Sequence, residues 1–308
     1  FAKQIMEIDV FHSAPHVIPY QGSKRKLAKD ILSYMDFEID TLYEPFVGSG
    51  AVTLSAAANN KAKRFVVSDK LEPLAELWKL IINNPDRLTE EYSRLWNEQL
   101  SDPAAYFKEI RSNFNKTKSP SNLLYLVARC VKNAVRFNGS GEFNQGPDNR
   151  RLGMKPEKLK REVALMSNLL KNRIDILGGD FRDAISKATS NDLVYMDPPW
   201  QGTSGKRDPR YAFLLNLDDL IEELENLNKR NVPFMLSFDG TCGDRTYGAE
   251  LPEFLRMKKV ELHAGRSSQA TLLGRNDVTI ESLYLSPALL LKTKTVSHEK
   301  SSSQLDLL

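Results

Sequence analysis

Residues 41–58 read TLYEPFVGSGAVTLSAAA, and residues 64–69 read RFVVSD. The first six residues of this stretch suit a strand, VGSG suits a tight glycine turn, and residues 51–58 suit a helix. That helix is built from residues small enough to lie close against a sheet. RFVVSD then reads as a second strand, and an amphipathic helix follows over about 72–82. Strand, glycine turn, helix and strand make a βαβ unit, which requires a parallel pairing with a right-handed crossover. The expected fold is therefore α/β, a doubly wound, mostly parallel Rossmann-like sheet.

Beyond Pro85 the pattern changes. Helical periodicity dominates to about residue 172, with Leu159, Val163, Met166 and Leu170 on one face. Residues 138–153 interrupt it, dense in Gly, Asn and Pro as an extended loop or hairpin would be. The α/β pattern resumes with strands over 173–181 and 192–197. A helix follows with Asn216 as N-cap, Asp218 and Asp219 in its first turn, and Lys229 and Arg230 at its end. Further strands are expected at 233–238 and 278–286. This predicts one discontinuous α/β domain (residues 1–84 and 172–290), an insertion with its own small core (85–171), and a mobile tail (291–308).

Composition is that of an ordinary soluble globular chain, with 41% hydrophobic and 27% charged residues. No apolar run approaches the length of a membrane span and no signal-peptide pattern is visible, so a cytoplasmic protein with no membrane partner is expected. Cys130 and Cys242 support neither a disulfide framework nor a thiolate metal site, and the four histidines lack ligand spacing, so no metal is expected. The net charge of +3 is small, but residues 129–161 alone hold nine Lys and Arg against three Asp and Glu. A basic segment of that kind fits a nucleic-acid contact and also fits an ordinary solvated face.

Two constellations carry chemistry. A glycine turn between strand and helix lets a ligand approach backbone N–H groups. Gly48-Ser49-Gly50 alone would suit a structural turn equally well. Asp69, at the end of the next strand and about twenty residues on, adds a carboxylate where a doubly wound sheet meets ribose hydroxyls. The second constellation is Asp197-Pro198-Pro199-Trp200 at the end of VYMDPPW. Prolines often end strands, so a strand terminus with a turn is the plain reading. Beside the glycine turn, the tetrapeptide also offers two fixed acceptors, the Asp197 carboxylate and the Pro198 carbonyl, with an indole face for a planar ring. An aromatic amine has its lone pair delocalised into the ring. Two acceptors on its N–H bonds favour the tetrahedral geometry from which it can attack a methyl group.

With these motifs in hand, the chain resembles the Dam-like class of DNA-adenine methyltransferases, which use S-adenosylmethionine (AdoMet). PYQGSKRKL (19–27) is similar to the family's N-terminal cofactor motif, with Tyr20 in place of the usual tryptophan and Gln21, Gly22 and Lys24 following. YEPFVGSGAV (43–52) is similar to its glycine motif and places Glu44, Pro45, Phe46, Gly48, Ser49 and Gly50 at the cofactor. Asp69 matches the ribose acid. Asp180 and Phe181 of GGDF match a motif near the cofactor adenine, and DPPW matches the catalytic tetrapeptide, with Asp197 also beside the cofactor. RFNGSGEFNQGPDNR (136–150) resembles the family's DNA-contacting hairpin. The resemblance implies flipping of the target adenine out of double-stranded DNA onto Trp200. It also implies base contacts from Arg136, Asn138 and Asn144, phosphate contacts from Arg150 and Arg151, and a restriction–modification role with a cognate restriction endonuclease as partner.

Rival readings stay open at this level. The same tetrapeptide could serve an RNA adenine or a cytosine amino group. A nicotinamide oxidoreductase would need a third glycine where Val52 and Thr53 stand, and a DNA-binding protein without turnover would keep the motifs but not the reaction.

Overall fold

The computed structural model describes residues 11–199, 215–242, 245–247, 250–266 and 278–294. The strands are β1 (Thr41–Glu44), β2 (Arg64–Asp69), β3 (Ile174–Gly178), β4 (Leu193–Met196), β5 (Phe234–Cys242), β6 (Arg245–Tyr247), β7 (Lys258–Arg266) and β8 (Val278–Leu285). They form one sheet in the order β3-β2-β1-β4-β5-β8-β7, with β6 against β5. The pairings from β3 across to β5 are parallel, while β8 runs antiparallel to both β5 and β7. From β1 the chain builds outward through β2 and β3, then returns to add β4 on the other side. The order of the strands therefore reverses between β1 and β4, and a crevice opens there at their carboxyl ends.

Alternation along the strands fills both faces. Leu42, Phe65, Val67, Leu193 and Tyr195 join one hydrophobic cluster. Their neighbours Tyr43, Val194, Met196, Phe234 and Leu236 join the other. All four residues of β4 are buried, as expected of a central parallel strand covered by helices on both sides. Helices α1 (Ala28–Leu32), α2 (Ala51–Ala58) and α3 (Glu72–Asn83) pack on the first face, and α2 is buried through Ala57. The second face is covered by the short α8 (Phe181–Ile185) and by α9 (Leu217–Lys229), whose Leu220, Leu224 and Leu227 are fully buried.

Four helices lie between α3 and β3: α4 (Pro85–Glu98), α5 (Pro103–Thr117), α6 (Pro120–Arg129) and α7 (Pro156–Leu170). Each begins with proline, whose missing N–H and fixed φ suit the first helical position. The whole of α6 is buried except Pro120. The apolar residues of these helices run on without a break into those of α2 and α3, since Leu88, Phe107, Tyr125 and Val163 belong to the same cluster as Val52 and Trp78. Arg129, fully buried, gathers the segment. It donates to Gln99 Oε1 at 2.6 Å, to the Asp148 carbonyl at 2.9 Å and to the Pro103 carbonyl at 3.3 Å.

The loop between α6 and α7 carries two isolated antiparallel bridges, Cys130 with Pro147 and Phe137 with Phe143. Its inner end is clasped from α5: Asn115 Nδ2 donates to the Phe143 carbonyl at 3.1 Å and Asn115 Oδ1 accepts from Phe143 N–H at 2.8 Å.

Strand β7 was not legible in the sequence. Lys259, Glu261 and His263 face outward, and on the other face Lys258 is exposed and only Leu262 is buried, with Val260 and Ala264 beside it, so the apolar signal is thin. Charged side chains are how an edge strand avoids pairing with another chain. Residues 287–294 are helical with Leu289 fully buried, and the rest of the tail lies outside the described residues.

Candidate active site

One cavity of about 960 Å³ opens at the carboxyl ends of β1, β2 and β4. Its floor begins with the turn after β1. Val47 N–H donates to the Ser68 carbonyl at 2.9 Å, tying that turn to β2. Gly48 and Gly50 have φ of 48° and 65°, in the left-handed region that favours glycine. A side chain on Gly50 would begin 2.3 Å from the Trp78 ring, so close packing excludes one. Trp78 Nε1–H also donates to the Gly48 carbonyl at 3.0 Å. One indole thereby fixes the turn twice. Gly48 lines the cavity beside the Tyr20 ring, whereas Gly50 is not among the lining residues and acts through packing.

Asp69 closes β2. Its carboxylate accepts from Gly48 N–H at 3.1 Å and from Leu71 N–H at 2.9 Å. Burial pushes its pKa up to about 6, and the two N–H bonds offset part of that rise. Phe46 stacks on Phe181 with centroids 5.2 Å apart, giving the cavity an aromatic wall. Asp180 caps α8, accepting from Arg182 N–H, and its carboxyl is held below the usual carboxylate range by the Arg182 guanidinium. Pro45, Ser49, Gln21 and Gly22 also line the space.

On the β4 side the arrangement is ionic. Asp197 Oδ2 lies 2.8 Å from Lys24 Nζ, and Lys24 is only 8% exposed. A second carboxylate, Glu281 of β8, approaches the same ammonium at 3.3 Å. That approach is an ion pair without hydrogen-bond geometry, and Glu281 Oε2 is buried with no hydrogen-bond partner among the described residues. Burial raises the Asp197 pKa to about 6; Lys24 pulls it down and Glu281 pushes it up. Behind them Glu44 accepts from Thr53 N–H at 2.9 Å, and burial raises it to about 8, so it is protonated at neutral pH. Ser49 Oγ–H donates to Ser23 Oγ at 2.9 Å, joining the Lys24 turn to the glycine turn. Pro198 and Pro199 line the cavity; Trp200 lies outside the described residues.

The hairpin candidates divide. Arg150 and Arg151 line the cavity, both paired with the buried Asp148, whose carboxyl Arg150 holds well below the usual range. Arg136, Asn138 and Asn144 do not line it. The Asn138 side chain organises the hairpin tip, accepting from the N–H groups of Ser140 and Glu142 and donating to the Glu142 carboxylate. Arg136 Nε is buried without a hydrogen-bond partner among the described residues. Sequence reasoning missed Glu281, although a signal existed: alternation in VTIESLYL places it on the same face as the buried Leu283 and Leu285.

Comparison with known proteins identifies the family of the chain. A model of the D12 class N6 adenine-specific DNA methyltransferases matches residues 20–261. The type II methyltransferase M.MjaIII of Methanocaldococcus jannaschii is 34% identical over 245 residues, covering 71% of this chain and 82% of that protein. The type II methyltransferase M.FokI of Planomicrobium okeanokoites is 28% identical over 228 residues, and the match spans 71% of this chain but 34% of that protein. A DNA adenine methylase of Serratia marcescens is 26% identical over 187 residues, 59% of this chain and 66% of that one.

Proposed function

The chain belongs to the D12 class N6 adenine-specific DNA methyltransferase family, and we propose that the cavity holds AdoMet on its β1–β2 side and a flipped adenine of double-stranded DNA on its β4 side. What carries this reading is that Gly48 and Asp69 share one cavity with Asp197, Pro198 and Pro199. The donors fit a nucleoside cofactor. Asp69 keeps acceptor capacity for a diol beyond its two N–H bonds, and Tyr20, Phe46 and Phe181 supply apolar faces. When bound, AdoMet supplies an electrophilic methyl group on a sulfonium. The chain's own work is at the amino group. The Asp197 carboxylate and the Pro198 carbonyl accept its two N–H bonds, draw its nitrogen toward tetrahedral geometry, and stabilise positive charge as it develops there. Lys24 keeps Asp197 ionised for that task, and Trp200 is the proposed stacking face.

Residues 1–84 and 172–290 would then form the catalytic domain and residues 85–171 the target-recognition domain. Arg136, Asn138 and Asn144 would meet bases, and Arg150 and Arg151 phosphates. Among the described residues no helix is long and apolar enough to cross a membrane. The type II names of the relatives support a modification role with a cognate restriction endonuclease, and the proposed location is the cytoplasm, with the DNA.

The test incubates the protein with unmethylated genomic DNA and labelled AdoMet, then locates modified bases by single-molecule sequencing, with Asp197→Ala in parallel. N6-methyladenine at one recurring motif, absent in the variant, is the expected result. Cofactor binding with no label in DNA would overturn the reading.

A further inference from the structure

Glu281 shares its face of β8 with Thr279 and the buried Leu283 and Leu285, and it lines the same cavity as Asp197. It reaches the site from β8, two places along the sheet from β4. Both carboxylates address one ammonium, at 2.8 Å for Asp197 and 3.3 Å for Glu281. Lys24 is buried, and its Nζ also donates to the Gly22 carbonyl at 3.2 Å.

We infer that Glu281 is a positioning residue for Asp197, acting through Lys24, which the two carboxylates share. The inference rests on the reading of Asp197 as the amino-group acceptor. A lysine committed wholly to Asp197 would neutralise it and compete with the substrate N–H bonds for the same oxygen atoms. A lysine drawn partly toward Glu281 leaves Asp197 ionised but still able to accept. The geometry also sets Glu281 beside Asp197 as a second negative charge, which favours any cation forming at the acceptor nitrogen.

Among the described residues the other groups facing this cluster are few. Glu44 from β1 is protonated at neutral pH and adds no charge there. Tyr195 from β4 lies beneath Asp197, with its hydroxyl bonded to Ser237 of β5 at 3.0 Å, and burial raises it far from ionisation. Among the described residues the balance is set by Lys24, Asp197 and Glu281, and the two neighbours act on Asp197 in opposite directions.

The experiment follows the Asp197 carboxyl by NMR in the full chain labelled with 13Cγ-aspartate, its signal identified by its loss in Asp197→Asn. No donor or DNA is needed. In Glu281→Gln the titration midpoint should fall by about half to one pH unit, and in Lys24→Met it should rise by a similar amount. The acid limb of single-turnover methylation should move the same way in each variant. Opposite displacements are an outcome that loss of packing does not produce. Glu281→Asp, which keeps the charge but shortens the reach, should give an intermediate midpoint and serves if the glutamine variant folds poorly. A midpoint unchanged or raised in Glu281→Gln, or one in Glu281→Asp that matches the wild type, overturns the inference. Persistent DNA methylation by Asp197→Ala would instead overturn the reading of Asp197, whatever the titration shows.

Discussion

Asp69 and Asp197 end two parallel strands on either side of β1, line one cavity, and are both raised to about 6 by burial. They are nevertheless held by different means. Asp69 is oriented by two backbone N–H groups, from Gly48 and Leu71, so its position follows from the chain's own path. Asp197 is oriented by a side-chain cation that a second carboxylate also claims. The first arrangement suits a ligand that must be held the same way throughout. The second suits a group that must serve a charge that appears and disappears.

The sharpest way to break this contrast is to remove each carboxylate and ask what is lost. Asp197→Ala should lower methyl transfer by roughly 10³-fold, the scale seen when one preorganised stabilising group is removed, with AdoMet affinity nearly unchanged by calorimetry. If both constants fell together, the division between the two acids would be wrong.

Next in size is the turn whose Gly48 N–H orients Asp69. Gly50→Ala places a methyl group against Trp78 and forces alanine to a φ of 65°. We expect a loss of about 2–4 kcal/mol from overpacking and left-handed strain together, read from urea unfolding. A stable variant would mean that the indole moves freely.

Asp69→Ala should then weaken AdoMet binding by roughly 10–100-fold, the scale of a charged hydrogen-bonding partner, while turnover at saturating cofactor changes little.

The smallest effect is on stability against pH. A folded value near 6, above the ordinary 3.8, means the folded state binds more protons than the unfolded state between those values. Stability through this group is therefore fully present below about pH 4 and declines as pH rises toward 6. Asp69→Asn should remove that decline, raising stability at pH 7 relative to pH 4 by about 1 kcal/mol compared with wild type, a figure reduced from the bare shift because the group is only partly buried. Urea midpoints at the two pH values measure it.

How much of this could be read from the sequence depends on how local each feature is. The β1 turn, α2, β2 and Asp69 lie within thirty residues and leave a pattern of periodicity and glycine spacing. The four insertion helices likewise carry their starts as prolines. The Lys24–Asp197–Glu281 cluster draws on the beginning, middle and end of the chain, and no local pattern joins them. Arg129 illustrates a second barrier. It counts as one of the basic residues of the 129–161 segment, yet it is fully buried and bonded to Gln99 and to backbone carbonyls, so its charge is spent inside the fold and not on a surface. Composition registers charge but not depth.

A primary amide has the same donor and acceptor as a backbone peptide, so Asn115 pairs with the hairpin as a neighbouring strand would, but without requiring any sequence in the loop itself. The tip between Phe137 and Phe143 is shaped by its own Asn138, so its conformation and its point of attachment are set by two different asparagines.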